Sequence, residues 1–257
     1  MSKNFEIYRL SENIFLLGIF LLASTMSIGI LFILVGSVIS FSIHRRELIN
    51  DKWTKVLIVN GALMIFACTY QTIGYLGKDL NGWDISLTWI GILNWIPFFF
   101  LFVSAQNFLK TSYQRLKVGI ILFSGSIPVI VTGFGQYYLN WEGPFSFLNG
   151  SIIWYLKVIE PHLGLSGLFS NQNYAGTWLA TIWPFSLTFI FLNKKSKYKK
   201  IISIFFLIIT TWMIILTTSR NALLSILFTI PLLTGLKGLL IIFLIAIFFI
   251  LIFCLRF

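Results

Sequence analysis

Acidic side chains are scarce in this chain: eight Asp and Glu stand against nineteen Lys and Arg among 257 residues. Asp79, Asp84, Glu142 and Glu160 are scattered singly, so they offer no paired carboxylates for general acid–base work. Histidine and cysteine are scarcer still, with two of each. Cys68 and Cys254 both lie in apolar runs without a spacing motif, which excludes a disulfide framework and a cysteine-ligated metal centre. No phosphate-cradling glycine loop or metal-ligand pattern occurs, so neither a metal nor a cofactor is expected. Charge itself is thin, at 11% of residues, while 58% are hydrophobic and 18% aromatic, which places the chain outside the soluble globular class.

What fills the chain instead is apolar sequence in runs long enough to cross a bilayer, one crossing taking roughly 20 residues of helix. The expectation is an all-α, polytopic helical membrane protein with about eight transmembrane segments. The first apolar block, 13–41, reads as one long helix or as a hairpin broken near Ser24-Thr25-Met26-Ser27, and the hairpin is favoured. Further spans are expected at 56–76, 87–109, 118–139, 174–192, 201–217, 222–234 and 239–255. The polar first twelve residues and the long run behind them do not make a signal peptide, so this block is expected to remain as an uncleaved segment. By composition the chain divides into an N-terminal bundle (1–139), one sizeable loop (140–173) and a second set of spans (174–257).

The net charge of +11 would suit a nucleic-acid partner, but its placement argues against one. The basic residues collect in short loops between apolar runs, as topology-setting charges do. Loops 44–55, 110–117 and 193–200 are basic, and they alternate with 78–86 and 140–173, where acids balance the lysines. Basic loops stay cytoplasmic, so the 140–173 loop is expected outside. Between 201 and 235 only Arg220 is charged, in Thr218-Ser219-Arg220-Asn221. This stretch reads as two spans meeting at a tight turn that presents the arginine on the same outer face. An arginine there is either an interfacial anchor that snorkels to headgroups or a functional group. For a lone arginine at a helix end the anchor is the commoner role. The outer location of the turn shifts that balance toward function only together with the family motif described below.

The 140–173 loop is rich in aromatics (Trp141, Phe145, Phe147, Trp154 and Tyr155) and in Gly, Asn and Ser. Such a loop can lie along the membrane interface, and it also suits a sugar, which needs stacking faces and hydrogen-bonding edges. It ends in Gly167-Leu168-Phe169-Ser170-Asn171-Gln172-Asn173-Tyr174-Ala175. Ser170 or Asn171 can cap the helix that follows, and the amides of that helix start favour an anion nearby.

This run, then a helix, a basic loop, a second helix and Thr218-Ser219-Arg220-Asn221-Ala222, resembles the O-antigen ligase and polymerase superfamily. There a Gly-φ-Phe-x-Asn-x-Asn-φ-Ala segment opens a transmembrane helix, and a Ser-Arg segment follows about one helical hairpin later. The resemblance implies a multi-pass glycosyltransferase of the GT-C type in the bacterial plasma (inner) membrane. It would move a glycan from an undecaprenyl-diphosphate donor to a glycan, lipid A-core or protein acceptor at the outer face, with no cofactor. Arg220 would contact the donor diphosphate as the catalytic residue, Ser219 would add a hydrogen bond, and Asn171, Asn173 and Gly167 would help bind or orient the donor. The family's later outer loop, with a further arginine and a histidine, has no counterpart here. That points to a truncated or a split member, the split form being one half of a two-gene enzyme whose missing half a second polypeptide would supply. His162 is open to two readings, a general base or a solvated loop histidine.

Two readings of other classes stand beside this one. A transporter or flippase of lipid-linked or amphipathic solutes would use polar residues within spans, such as Gln71, Asn94 and Gln106. A non-catalytic assembly subunit is the third.

Overall fold

The computed structural model describes residues 3–75, 84, 86–159, 163–192, 196–235 and 238–240. Five helical stretches among them are long and apolar enough to cross a membrane: Met26–Asn50, Lys52–Gly74, Ser86–Phe108, Ser112–Tyr138 and Lys197–Leu216. Arg220–Thr234 is a shorter apolar helix. The expected span at 239–255 lies outside the described residues, apart from its first two positions. The chain divides into two compact units, one built from Met1–Gly18 and Ile30–Val118, the other from Ile19–Gly29 and Gly119–Phe257.

Helices α1 (Lys3–Leu21) and α2 (Met26–Asn50) replace the ambiguous first block. The chain breaks where a hairpin was favoured, and the Ser24 and Thr25 hydroxyls turn back onto the Leu21 carbonyl. Within the first unit α2 lies directly on α1 at Gly36, where a Cβ would come within 2.9 Å of the Ser11 carbonyl oxygen and the Phe15 nitrogen. Small residues let membrane helices approach in this way. A kink at His44 (φ −107°, ψ 17°) precedes the basic residues Arg45 and Arg46. These residues ride on the end of α2 rather than in a loop, because Asp51 alone caps α3 (Lys52–Gly74) by accepting from the Trp53 and Thr54 amides at 2.9 and 3.1 Å.

The expected span 87–109 is two helices, α4 (Ser86–Leu93) and α5 (Ile96–Ala105), followed by a short 3-10 turn. The span 118–139 is likewise divided into α6 (Ser112–Gly125) and α7 (Ile127–Tyr138). Proline sits in the first turn of both α5 and α7. It has no N–H to continue the preceding ladder, so each run restarts at its proline.

The second unit corrects the all-helical expectation in one place. Strands β1 (Phe145–Phe147) and β2 (Ile152–Trp154) pair antiparallel inside the 140–173 segment. Leu148, Asn149 and Gly150 between them all take positive φ, which reverses the chain. The Trp154 indole donates to the Ser24 carbonyl at 2.8 Å, so this hairpin docks on the α1–α2 turn. The remaining helices are α8 (Gln172–Leu192), α9 (Lys197–Leu216) and α10 (Arg220–Thr234). Their shared core includes Leu179, Ile182, Met213 and Ile214, all fully buried together with Val129 of α7.

Candidate functional site

Helix α9 separates two kinds of polar residue. Its 20 residues span about 30 Å at 1.5 Å per residue. Lysines 197, 199 and 200 therefore lie at one end and the Thr217–Ser219 turn at the other. That turn is short because Thr218 adopts φ +54°, a left-handed conformation that a β-branched residue rarely holds. Thr217 closes α9 and Ser219 (φ −76°, ψ 106°) precedes the first residue of α10, which is Arg220. Among the described residues no acceptor meets the amides of Arg220 and Asn221, as expected for the first turn of a helix.

A second helix start lies beside it. Asn171 accepts from the Tyr174 amide at 3.0 Å and so caps α8, one of the two cap assignments open from the sequence. Gln172, the middle residue of Asn-Gln-Asn, accepts from the Gly164 amide at 3.0 Å through Oε1, and its Nε2 reaches toward the Thr218 hydroxyl at 3.5 Å. Closeness here depends on missing side chains. A Cβ on Gly176 would stand 2.7 Å from the Ser219 Cβ and 3.0 Å from that of Ala222, so α8 and the start of α10 touch at Gly176. On Gly164 it would stand 2.2 Å from the Thr217 carbonyl oxygen.

The two helix starts open onto one recess of about 540 Å³, lined by Gln172, Asn173, Thr218, Arg220 and Asn221. Asn173 and Arg220, 47 positions apart, thus share a wall. Both side chains are exposed, and among the described residues no carboxylate pairs with Arg220. A free guanidinium beside two helix N-termini makes a site of positive potential that also carries amide hydrogen-bonding groups. That combination holds phosphate-like anions.

The other expected site residues have different places. Ser219 is 2% exposed and turned against Gly176, and its hydroxyl has no hydrogen-bond partner among the described residues. Gly167 is buried at φ +54°; its amide donates to Gln136 Oε1 at 2.7 Å and its carbonyl accepts from the Leu156 amide at 3.0 Å. Neither lines the recess. Asn171 acts as a cap, and His162 lies outside the described residues. Of the polar residues weighed for transport, Gln71 is exposed on α3, Asn94 is exposed in the turn between α4 and α5, and Gln106 is half-buried.

Three residues at or near the site escaped the sequence reading. Gln172 and Asn221 lie inside the motifs and were passed over for their neighbours. Gln136 is 3% exposed on α7 and spends its whole carboxamide on the segment before α8. A glutamine inside an apolar span was the only signal for it. No family model, curated protein or solved structure matches this chain.

Proposed function

We propose that the chain is a multi-pass protein of the bacterial plasma membrane, with about eight transmembrane segments, that transfers a glycan from a polyprenyl-diphosphate donor at the outer face. The observation that carries this reading is the convergence of Asn173 and Arg220, from two separate motifs, on one recess at the N-termini of α8 and α10. A diphosphate fits it. Arginine donates paired hydrogen bonds to phosphate oxygens and keeps its charge, and the same contacts stabilise charge that develops on the diphosphate as it leaves. The exposed carboxamides of Asn173 and Asn221 offer donors and acceptors to the sugar next to the phosphate. Distribution of basic residues supports the orientation, since Lys197, Lys199 and Lys200 occupy the end of α9 opposite Arg220. The acceptor is a glycan, a lipid A-core or a protein.

The test is transfer from a labelled polyprenyl-diphosphate glycan in membranes that contain the chain and its genomic neighbours. Arg220→Ala is expected to lower transfer by about 100-fold or more at unchanged membrane abundance. Transfer at the wild-type rate contradicts the proposal.

A further inference from the structure

Gln136 lies on α7, outside both motifs, and is not among the residues that line the recess. It is nonetheless the most heavily hydrogen-bonded side chain near the site. Its Oε1 accepts from the Ser166 and Gly167 amides at 3.1 and 2.7 Å, and its Nε2 donates to the Ser166 hydroxyl at 3.1 Å and to the Lys157 carbonyl. Two amide donors on one side and a carbonyl on the other fix which end of the carboxamide is oxygen. Ser166 is itself 2% exposed, and its hydroxyl also accepts from the Lys157 amide at 3.2 Å. One buried side chain therefore ties Lys157 to Ser166 and Gly167, beside the backbone bonds from Tyr155 to Leu168 and from Leu156 to Gly167.

The segment held in this way has two working sides. Ser166 and Gly167 bond to Gln136, while the residues just before them bond to the end of α9 and the start of α8. The Leu165 amide donates to the Leu216 carbonyl at 2.9 Å, and the Gly164 amide donates to Gln172 Oε1 at 3.0 Å. Leu216 is the last residue of α9, four before Arg220, and Gln172 is the first residue of α8. We infer that Gln136 is a positioning residue for the arginine recess: through residues 164–167 it sets the start of α8 and the Thr217–Ser219 turn relative to each other. The inference concerns the recess described above, and only its binding arm rests on the proposed function.

A competing account uses packing alone. α7 also touches α9 at Gly133, where a Cβ would stand 2.2 Å from the Met213 methyl carbon and 3.1 Å from Leu165. If that contact sets the turn, the carboxamide is needed only for its own loop. Hydrogen–deuterium exchange of the full chain in nanodiscs, read by peptide for wild type, Gln136→Leu and Gln136→Glu, separates the two. Leucine leaves buried amides and a carbonyl without partners. It is expected to speed exchange about tenfold or more at Ser166 and Gly167, and by a comparable factor at the remote amides of Tyr174, Thr217 and Thr218. Glutamate in its protonated form restores the acceptor and one donor, and is expected to return the remote amides close to wild-type rates. Faster exchange confined to Ser166 and Gly167 overturns the inference. Where Gln136→Leu fails to fold, Ser166→Ala removes two bonds of the same network and gives the same pattern at smaller amplitude, and unchanged rates at Thr217 and Thr218 overturn it equally. Inorganic pyrophosphate is the probe for the binding arm, and its affinity is expected to fall in parallel with the remote exchange. Wild-type protein that binds no pyrophosphate counts against the proposed function, while the exchange pattern still decides the role of Gln136.

Discussion

Asn171 and Asn173 are two positions apart and carry the same side chain, yet the structure gives them separate work. The Asn171 carboxamide is committed to the Tyr174 amide, whereas Asn173 is exposed on the recess wall. Asn171→Ala is expected to cost about 1 kcal/mol of stability, read as a lower melting temperature in detergent. Asn173→Ala is expected to leave melting unchanged and to weaken pyrophosphate binding. The reverse assignment of effects would contradict this division. Gly176 gives a third residue-level expectation. Gly176→Leu drives a side chain into Ser219 and Ala222 and is expected to destabilise by about 1–3 kcal/mol, with loss of anion binding as α10 is pushed from α8. Asp84 supplies a pH expectation. The Ser86 hydroxyl and amide hold its carboxyl below the usual carboxylate range. Its pair of bonds to Ser86, the first residue of α4, is therefore fully present above about pH 4, the ordinary aspartate value, and is lost as pH falls through the lowered value. A carboxyl carbon-13 titration that places Asp84 at or above an ordinary aspartate contradicts this.

At the scale of elements, hydropathy made the apolar stretches legible, because membrane helices must carry long uninterrupted apolar runs. The break in the first block was legible too, since Ser24, Thr25 and Ser27 interrupt an otherwise apolar sequence. The breaks before α5 and α7 were not read, although Pro97 and Pro128 mark them; hydropathy is blind to a proline that leaves a run apolar. The β1–β2 hairpin was missed for a different reason. Its strands are three residues each, too short for period-2 alternation to register, and its anchor on Ser24 is far away in sequence. Gln136 follows the same rule, since its partners at 157, 166 and 167 become neighbours only once the loop folds back. Within the site, the motif residues were visible and their division into cap, wall and packing was not. Trp154→Phe removes the indole donor to Ser24 while keeping the ring. It is expected to raise proteolytic nicking within 145–154 without altering the melting of the helices, and an unchanged cleavage pattern would show that the hairpin is held by other contacts.

For the whole molecule, the proposal requires the 140–173 segment and Arg220 to share the outer face. In a cysteine-free background a membrane-impermeant thiol reagent is expected to label Asn149→Cys and Thr218→Cys in intact cells, and Tyr198→Cys only after permeabilisation. The reverse pattern removes the recess from any donor at the outer face. The most direct measurement is equilibrium binding of undecaprenyl diphosphate to the purified full chain in nanodiscs, against undecaprenyl monophosphate and against Arg220→Ala. The diphosphate is expected to bind more tightly than the monophosphate, and the arginine variant to lose about tenfold or more in affinity, the loss of charge-assisted hydrogen bonds. Equal binding of both lipids with no change in the variant contradicts a diphosphate site at Arg220.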